Sequence, residues 1–69
     1  MPLNLADIGT EYIVKRISGK QEIKQHLENL GFVAGATVIV VSKVAGNVIV
    51  NVKESRIAIN SEMAQKIYV

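Results

Sequence analysis

The stretch from Leu27 to Gly35 constrains the fold of this chain more than any other part of it. The apolar residues at its start recur with helical spacing and so share one face of a helix: Ile23, Leu27 and Leu30. Gly31 then stands at the position where helices end in a left-handed residue. Phe32 follows it, and contact between Phe32 and Leu27 is the apolar pair of a Schellman ending. After a second glycine turn at Gly35, the chain is expected to enter a strand.

The start of this helix is marked by a capping-box pattern. Ser18 occupies the N-cap position and Gln21 stands three residues later, so that each side chain can satisfy a free backbone N–H group. The helix is therefore expected to run from about Gly19 to Leu30. Its remaining residues form an ordinary solvated face: Lys20, Lys24, Gln25, Glu28 and Asn29.

A chain of 69 residues without cysteine depends on an efficient apolar core for its stability. Hydrophobic residues make up 49% of it, and most of them are Val and Ile, which favour β-structure. The sequence therefore predicts one domain over residues 1–69, and a fold that is mainly β.

The first strand is predicted over Glu11 to Ile17, where β-branched and aromatic residues are concentrated. Its alternation is imperfect, and two interpretations remain open. The strand is either apolar on both faces, or it is bulged near Lys15–Arg16. A bulge would place Val14 and Ile17 on the same side.

The next three strands are predicted as a tight antiparallel meander over residues 37–44, 47–53 and 56–60. Two-residue turns are expected at Gly46–Asn47 and Glu54–Ser55. The inward-facing residues of the last two meander strands are Val48, Val50, Val52, Ile57 and Ile59.

After the meander, a single helical turn capped by Ser61 should lead into a last strand over residues 66–69. Together the elements predict a small, strongly bent barrel of five strands. The helix after the first strand would cap one open end of it by inserting its apolar face. Leu3 and Leu5 are expected to plug one end of the core.

The sequence offers little chemistry for catalysis. His26 is the only histidine, and there is no cysteine nucleophile. Glu22 and His26 share a helix face, but two ligands are too few for a structural metal site, so an exposed pair is the preferred interpretation. The glycines lack the G-K-[ST] continuation of a phosphate-binding loop. We expect a protein that is not an enzyme, with no cofactor and no metal site.

Charge and hydropathy also limit the partners. A net charge of +2 does not by itself indicate nucleic-acid binding. The basic residues near the first strand and the helix start are interpreted as a solvated face: Lys15, Arg16, Lys20 and Lys24. The longest apolar run, Val38–Val41, is too short to cross a bilayer, and no signal-peptide pattern opens the chain. The cytosol is the expected location.

Protein–protein interaction is the class of function that remains. The loop after the helix is expected to present partly exposed apolar groups to a partner, with Val33, Ala34 and Ile39 as candidates for this patch. The centre of the contact is predicted at the helix end and its exit: Leu30, Phe32, Val33 and Ala34. The oligomeric state does not follow from the sequence, although the apolar strand edges of so small a barrel are compatible with self-association.

The motifs together resemble the FeoA family, ferrous iron transport protein A. The resemblance rests on L-x-x-L-G-F-x-x-G at residues 27–35 and A-I-x-x-x-x-A-x-x-I at residues 58–67, with L-x-x-x-G at 5–9 and V-x-x-I-S-G at 14–19 ahead of them. Two turns depart from the family pattern. Ala34 stands where proline is frequent, and Glu54–Ser55 stands where glycine is frequent.

The resemblance implies an SH3-like barrel in the cytoplasm that binds FeoB, the GTP-binding membrane transporter of ferrous iron, and regulates or assembles it. No defined iron site is implied. Direct stimulation of GTP hydrolysis would need an arginine, and the chain has only Arg16 and Arg56. The alternative is a metal-responsive or nucleic-acid-binding SH3-like module, related to the C-terminal domain of iron-dependent repressors.

Overall fold

The computed structural model describes all 69 residues, Met1–Val69. Along the chain the elements are a 3₁₀ turn at Leu3–Leu5, β1 at Glu11–Ile13, β2 at Arg16–Ile17, α1 at Gln21–Leu30, β3 at Thr37–Val44, β4 at Asn47–Val52, β5 at Ser55–Asn60, α2 at Ser61–Ala64 and β6 at Ile67–Tyr68. The strands form one antiparallel sheet in the order β1-β3-β4-β5 and a second that pairs β2 with β6. The mainly β architecture is as predicted, and so is the position of α1 after the region of the predicted first strand.

The predicted first strand is broken in two. At the break, the N–H of Val14 donates to the carbonyl of Ala36 (2.9 Å), and the carbonyl of Val14 accepts from the N–H of Gly35 (2.8 Å). The next residue, Lys15, donates instead to the carbonyl of Tyr68 in β6 (2.7 Å). The chain thus leaves the larger sheet at Val14 and joins the smaller one at Lys15. Val14 is buried and Ile17 packs against the core, as the bulged alternative predicted.

The core consists of alternate residues of the strands together with the apolar face of α1. Its largest fully buried side chains are Phe32, Leu3, Leu27, Ile67, Val14, Val38, Val40, Val50 and Val52. No polar or charged residue is buried. Ile23 and Leu30 pack against this core from α1, so the predicted apolar face of the helix is buried on the core.

The expectation that both N-terminal leucines plug the core is half wrong. Leu3 is fully buried, but the side chain of Leu5 is 63% exposed. The 3₁₀ turn is the cause, because three residues per turn place residues i and i+3 on one side. Ala6 therefore faces the core together with Leu3 and is fully buried.

The predicted capping box at the start of α1 is absent. Gly19 has a φ of +105°, a left-handed conformation that a helix cannot contain. The helix consequently begins at Gln21, and its N-cap residue Lys20 makes no side-chain capping bond. Ser18 instead pairs with the end of the chain, where its N–H donates to the carbonyl of Lys66 (2.7 Å).

Both two-residue hairpin turns lie one residue earlier than predicted. They consist of Ala45–Gly46, with φ values of +48° and +81°, and Lys53–Glu54, with φ values of +49° and +65°. Two successive residues with positive φ define the type I′ turn that matches the twist of a hairpin. The strand residues Val44 and Asn47 pair directly across the first turn, so Asn47 is the first residue of β4, as the predicted strand bounds have it, and takes no part in the two-residue loop.

The cap of α2 is also one residue earlier than predicted. The side-chain Oδ1 of Asn60 accepts a hydrogen bond from the N–H of Met63 (2.8 Å), so Asn60 is the N-cap. Ser61 is the first helical residue, and its N–H donates to the carbonyl of Gly46 (2.9 Å). Asparagine is as good a cap as serine, so residue type alone did not separate the two.

The two ends of the chain lie side by side. The N–H of Val69 donates to the carbonyl of Met1 (2.9 Å), and the Met1 amino group donates to the carbonyl of Val69 (2.7 Å). Pro2 forms an antiparallel bridge to Tyr68 next to these bonds. The last strand is limited to Ile67–Tyr68, which is shorter than predicted. None of the helices has the length and hydrophobicity that a membrane-crossing helix needs.

Candidate partner-binding surface at the helix exit

The segment Gly31–Gly35, here called the exit loop, leaves α1 through a complete Schellman ending. Gly31 has a φ of +113°, and its N–H donates to the carbonyl of Glu28 (3.0 Å). The N–H of Phe32 donates to the carbonyl of Leu27 (3.0 Å). These are the two bonds that define the motif, so the predicted helix ending is confirmed.

Core packing and backbone hydrogen bonds hold the exit loop in place. Phe32 is fully buried in the core. The N–H of Gly35 donates to the carbonyl of Val14 (2.8 Å), and the N–H of Ala36 donates back to the carbonyl of Val33 (3.0 Å). A loop held in this way presents a preformed surface, which lowers the entropic cost of binding a partner.

The four residues predicted to contact a partner differ in what they expose. Ala34 is exposed, and Leu30 and Val33 are half-buried, so these three are accessible on the surface. Phe32 has no exposed surface at all and packs in the core. Its predicted place in the contact is therefore wrong, because an apolar ring at C″ is drawn into the helix ending. Phe32 supports the exit loop from beneath.

A shallow groove beside the exit loop has a volume of about 410 Å³. It is lined by Ala36, Thr37, Ile39, Asn51, Lys53 and Glu54. The side chain of Lys53 reaches back to the helix exit, since its Cδ lies 3.5 Å from the position that a Cβ on Gly31 would take. The groove and the exit loop are therefore parts of one continuous surface.

Most of this groove was not anticipated from the sequence, although Ile39 had been named as a candidate. Ile13 adds a second apolar side chain beside it: Ile13 is 59% exposed and pairs with Thr37. The sequence signal for the groove is that apolar residues occupy both faces of β3, with Val38 and Val40 on one face and Ile39 and Val41 on the other. The outer face of that strand is in fact partly open to solvent.

The remaining candidate groups stay apart from one another. Glu22 and His26 are both exposed on α1. No group of three or more His, Cys, Asp or Glu side chains is placed to hold a metal ion. Each arginine has a partner within the chain. The guanidinium carbon of Arg16 lies 4.1 Å from the ring centroid of Tyr68, and the Nε of Arg56 donates to the Oδ1 of Asn51 (3.5 Å).

The sequence matches the FeoA domain over residues 1–69, the full length of the chain. This chain belongs to the FeoA family. The family resemblance stated from the motifs is therefore confirmed. No match was found among curated protein sequences.

Solved FeoA structures share the whole fold. An iron uptake regulatory protein (FeoA) is 32% identical, with a TM-score of 0.89 over 97% of this chain and 91% of that one. FeoA of Stenotrophomonas maltophilia, solved with zinc and described as a prokaryotic SH3-domain protein, is 27% identical, with a TM-score of 0.87 over 100% of this chain and 88% of that one. The predicted SH3-like fold is thereby confirmed.

The same domain fold occurs inside a larger regulator. A manganese-dependent transcriptional repressor is 22% identical and has a TM-score of 0.90, with all of this chain covering 40% of that protein. At this level of identity the similarity establishes the fold alone.

Proposed function

We propose that this FeoA-family chain is a non-enzymatic accessory protein of ferrous iron uptake, and that it binds the cytoplasmic part of FeoB, the GTP-binding membrane transporter. The observation that carries the proposal is the family match over all 69 residues. Two solved relatives support it: one is named an iron uptake regulatory protein, and that of S. maltophilia is described as a candidate activating factor of ferrous iron transport.

The proposed contact surface combines the exit loop with the groove beside it. Val33 and Ala34 supply accessible apolar surface, and Ile39 continues it into the groove. Lys53 and Glu54 give the groove a polar rim. An apolar centre with a polar rim is the usual organisation of a protein–protein interface. Because hydrogen bonds to the rest of the domain hold the loop, little ordering is required on binding.

The test is a binding measurement between the full chain and detergent-solubilised FeoB. Val33→Glu places a charge at the proposed apolar centre, and we expect it to weaken binding by about tenfold or more. Val44→Glu is the matched control, because Val44 is 55% exposed at the far end of β3 and outside the proposed surface. Equal binding by a folded Val33→Glu variant and the unmodified protein would show that the surface is misplaced.

A second measurement separates the two roles that such an accessory could have. If binding regulates the transporter, saturating amounts of the chain should change the transporter's rate of GTP hydrolysis. If binding promotes assembly instead, the hydrolysis rate per transporter should stay constant while the size of the transporter oligomer changes. An arginine supplied in trans would be worth about 10³–10⁵ in rate. Because exposed arginines are ordinarily surface residues, we favour regulation or assembly by docking.

A further inference from the structure

The outer face of the β2–β6 sheet is basic and contains an aromatic side chain. Arg16 pairs directly with Tyr68, and the N–H of Ser18 donates to the carbonyl of Lys66. On the two strands these four residues alternate with Ile17, which packs against the core, and Ile67, which is part of it. Alternate residues of a strand share a face. Arg16, Ser18, Lys66 and Tyr68 consequently point outward together.

Two further lysines adjoin this face. The Lys66 side chain lies across Gly19, with its Cδ 3.2 Å from where a Cβ would be, and the exposed Lys20 is the next residue after Gly19. Lys15 is exposed beside Arg16. We call Lys15, Arg16, Lys20 and Lys66 the basic face. The two segments that build it, residues 12–21 and 63–69, contain no Asp or Glu, whereas the whole chain has six acidic residues for eight basic ones.

Apolar and aromatic groups border the basic face at one edge. Met1 is 48% exposed, and Pro2 next to it forms a bridge to Tyr68. Tyr68 itself is half-buried, with Arg16 stacked on its ring at 4.1 Å. Basic residues beside an exposed apolar side chain and a tyrosine are typical of protein surfaces that lie at the headgroup level of a membrane.

We propose that the basic face docks onto the surface of a membrane rich in anionic lipids. The positive charge of the face is complementary to the negative charge of anionic headgroups. Each basic residue near such a surface should increase the partition coefficient of the protein onto the membrane about fivefold. A nucleic acid fits less well: binding of single strands uses open aromatic rings on which bases stack, and one face of Tyr68 is already covered by Arg16. Membrane docking goes beyond the proposed binding of FeoB and does not depend on it.

Protein-free vesicles provide the test. Vesicles of phosphatidylcholine with about one third phosphatidylglycerol should retain the full chain at low ionic strength, and pure phosphatidylcholine vesicles should not. Raising the salt to about 0.5 M should release it, because the Debye length then falls to a few ångströms. Equal retention on both vesicle types would overturn the proposal, since binding would then not depend on charge.

Two charge-matched double variants locate the surface. Arg16→Gln with Lys66→Gln should lower the partition coefficient about 25-fold, which is two fivefold steps. Arg56→Gln with Lys43→Gln removes the same charge from β5 and β3 and should lower it less than threefold. Lys15→Gln with Lys20→Gln repeats the first test without touching the contact between Arg16 and Tyr68. Equal losses in the basic-face and control variants, or retention on duplex DNA with no binding to the anionic vesicles, would overturn the proposal.

Discussion

The backbone N–H of Phe32 donates to the carbonyl oxygen of Leu27 across 3.0 Å, and both side chains are fully buried. The helix ending and the core are therefore one structural unit. We expect Phe32→Ala to lower the free energy of unfolding by about 3–5 kcal/mol, the usual cost of removing a buried aromatic side chain. A domain of this size has roughly 3–10 kcal/mol in total, so about a third of its stability or more would be lost. Thermal and urea denaturation measure the effect; a loss below 1 kcal/mol would contradict the burial of this ring.

The left-handed conformation of Gly31 predicts a second stability change. Gly31→Ala should lower the free energy of unfolding by about 1–2 kcal/mol, the cost of holding a residue with a Cβ at positive φ. Steric overlap is not the cause, because the nearest side-chain atom to a built Cβ is 3.5 Å away. Urea denaturation is the measurement, with Glu22→Ala on the exposed face of α1 as a control expected within about 0.5 kcal/mol of the unmodified protein. Equal stabilities of the Gly31 and Glu22 variants would argue against the Schellman ending.

The turn of the first hairpin, at Ala45–Gly46, predicts a substitution that should stabilise the protein. Ala45 has a φ of +48° at the first position of a type I′ turn, where alanine is strained and asparagine is preferred. Ala45→Asn should raise the free energy of unfolding by about 0.5–1 kcal/mol by relieving this strain. The measurement is the midpoint of urea denaturation. A lower midpoint than that of the unmodified protein would show that Ala45 is not in this turn conformation.

The cap of α2 allows a direct choice between two neighbouring residues. Asn60→Ala should destabilise the protein by about 0.5–2 kcal/mol, because it removes the acceptor for the N–H of Met63. Ser61→Ala should change stability by less than about 0.5 kcal/mol, since Ser61 contributes its backbone but no capping side chain. The two variants are compared by thermal denaturation. If Ser61→Ala were the more destabilising of the two substitutions, Ser61 would be the cap, as the sequence pattern indicates.

The sequence predicted the parts of the fold that depend on periodicity and on single backbone conformations. The boundaries of β3 and the inward faces of β4 and β5 follow from alternation, which has a period of two residues. The exit at Gly31 follows from the need for positive φ. These signals are local, so they do not depend on where the rest of the chain lies.

One group of errors arises where the partner of a residue is distant in sequence. Ser18 has the residue type of a helix cap, but the carbonyl of Lys66, 48 residues away, takes its hydrogen bonds. The same reason explains the divided first strand, because Val14 and Lys15 bond to different parts of the chain. For the candidate surface, Phe32 lies in the core beneath the exit loop, as its predicted contact with Leu27 requires, and so does not reach a partner. The groove beside Ile39 was largely missed, since exposure on the outer face of a sheet depends on tertiary packing.

The bonds between Met1 and Val69 make the domain nearly a ring. Because loop-closure cost grows only slowly with length, a short flexible linker could join the two ends without disturbing the core. New ends could then be opened at the exposed Ala45–Gly46 turn, which would give a circular permutant with the same strand pairings. In the existing connectivity, any sequence attached to either end leaves the domain at this one corner, beside Tyr68. A fusion partner placed there would stand directly over the aromatic edge of the β2–β6 sheet.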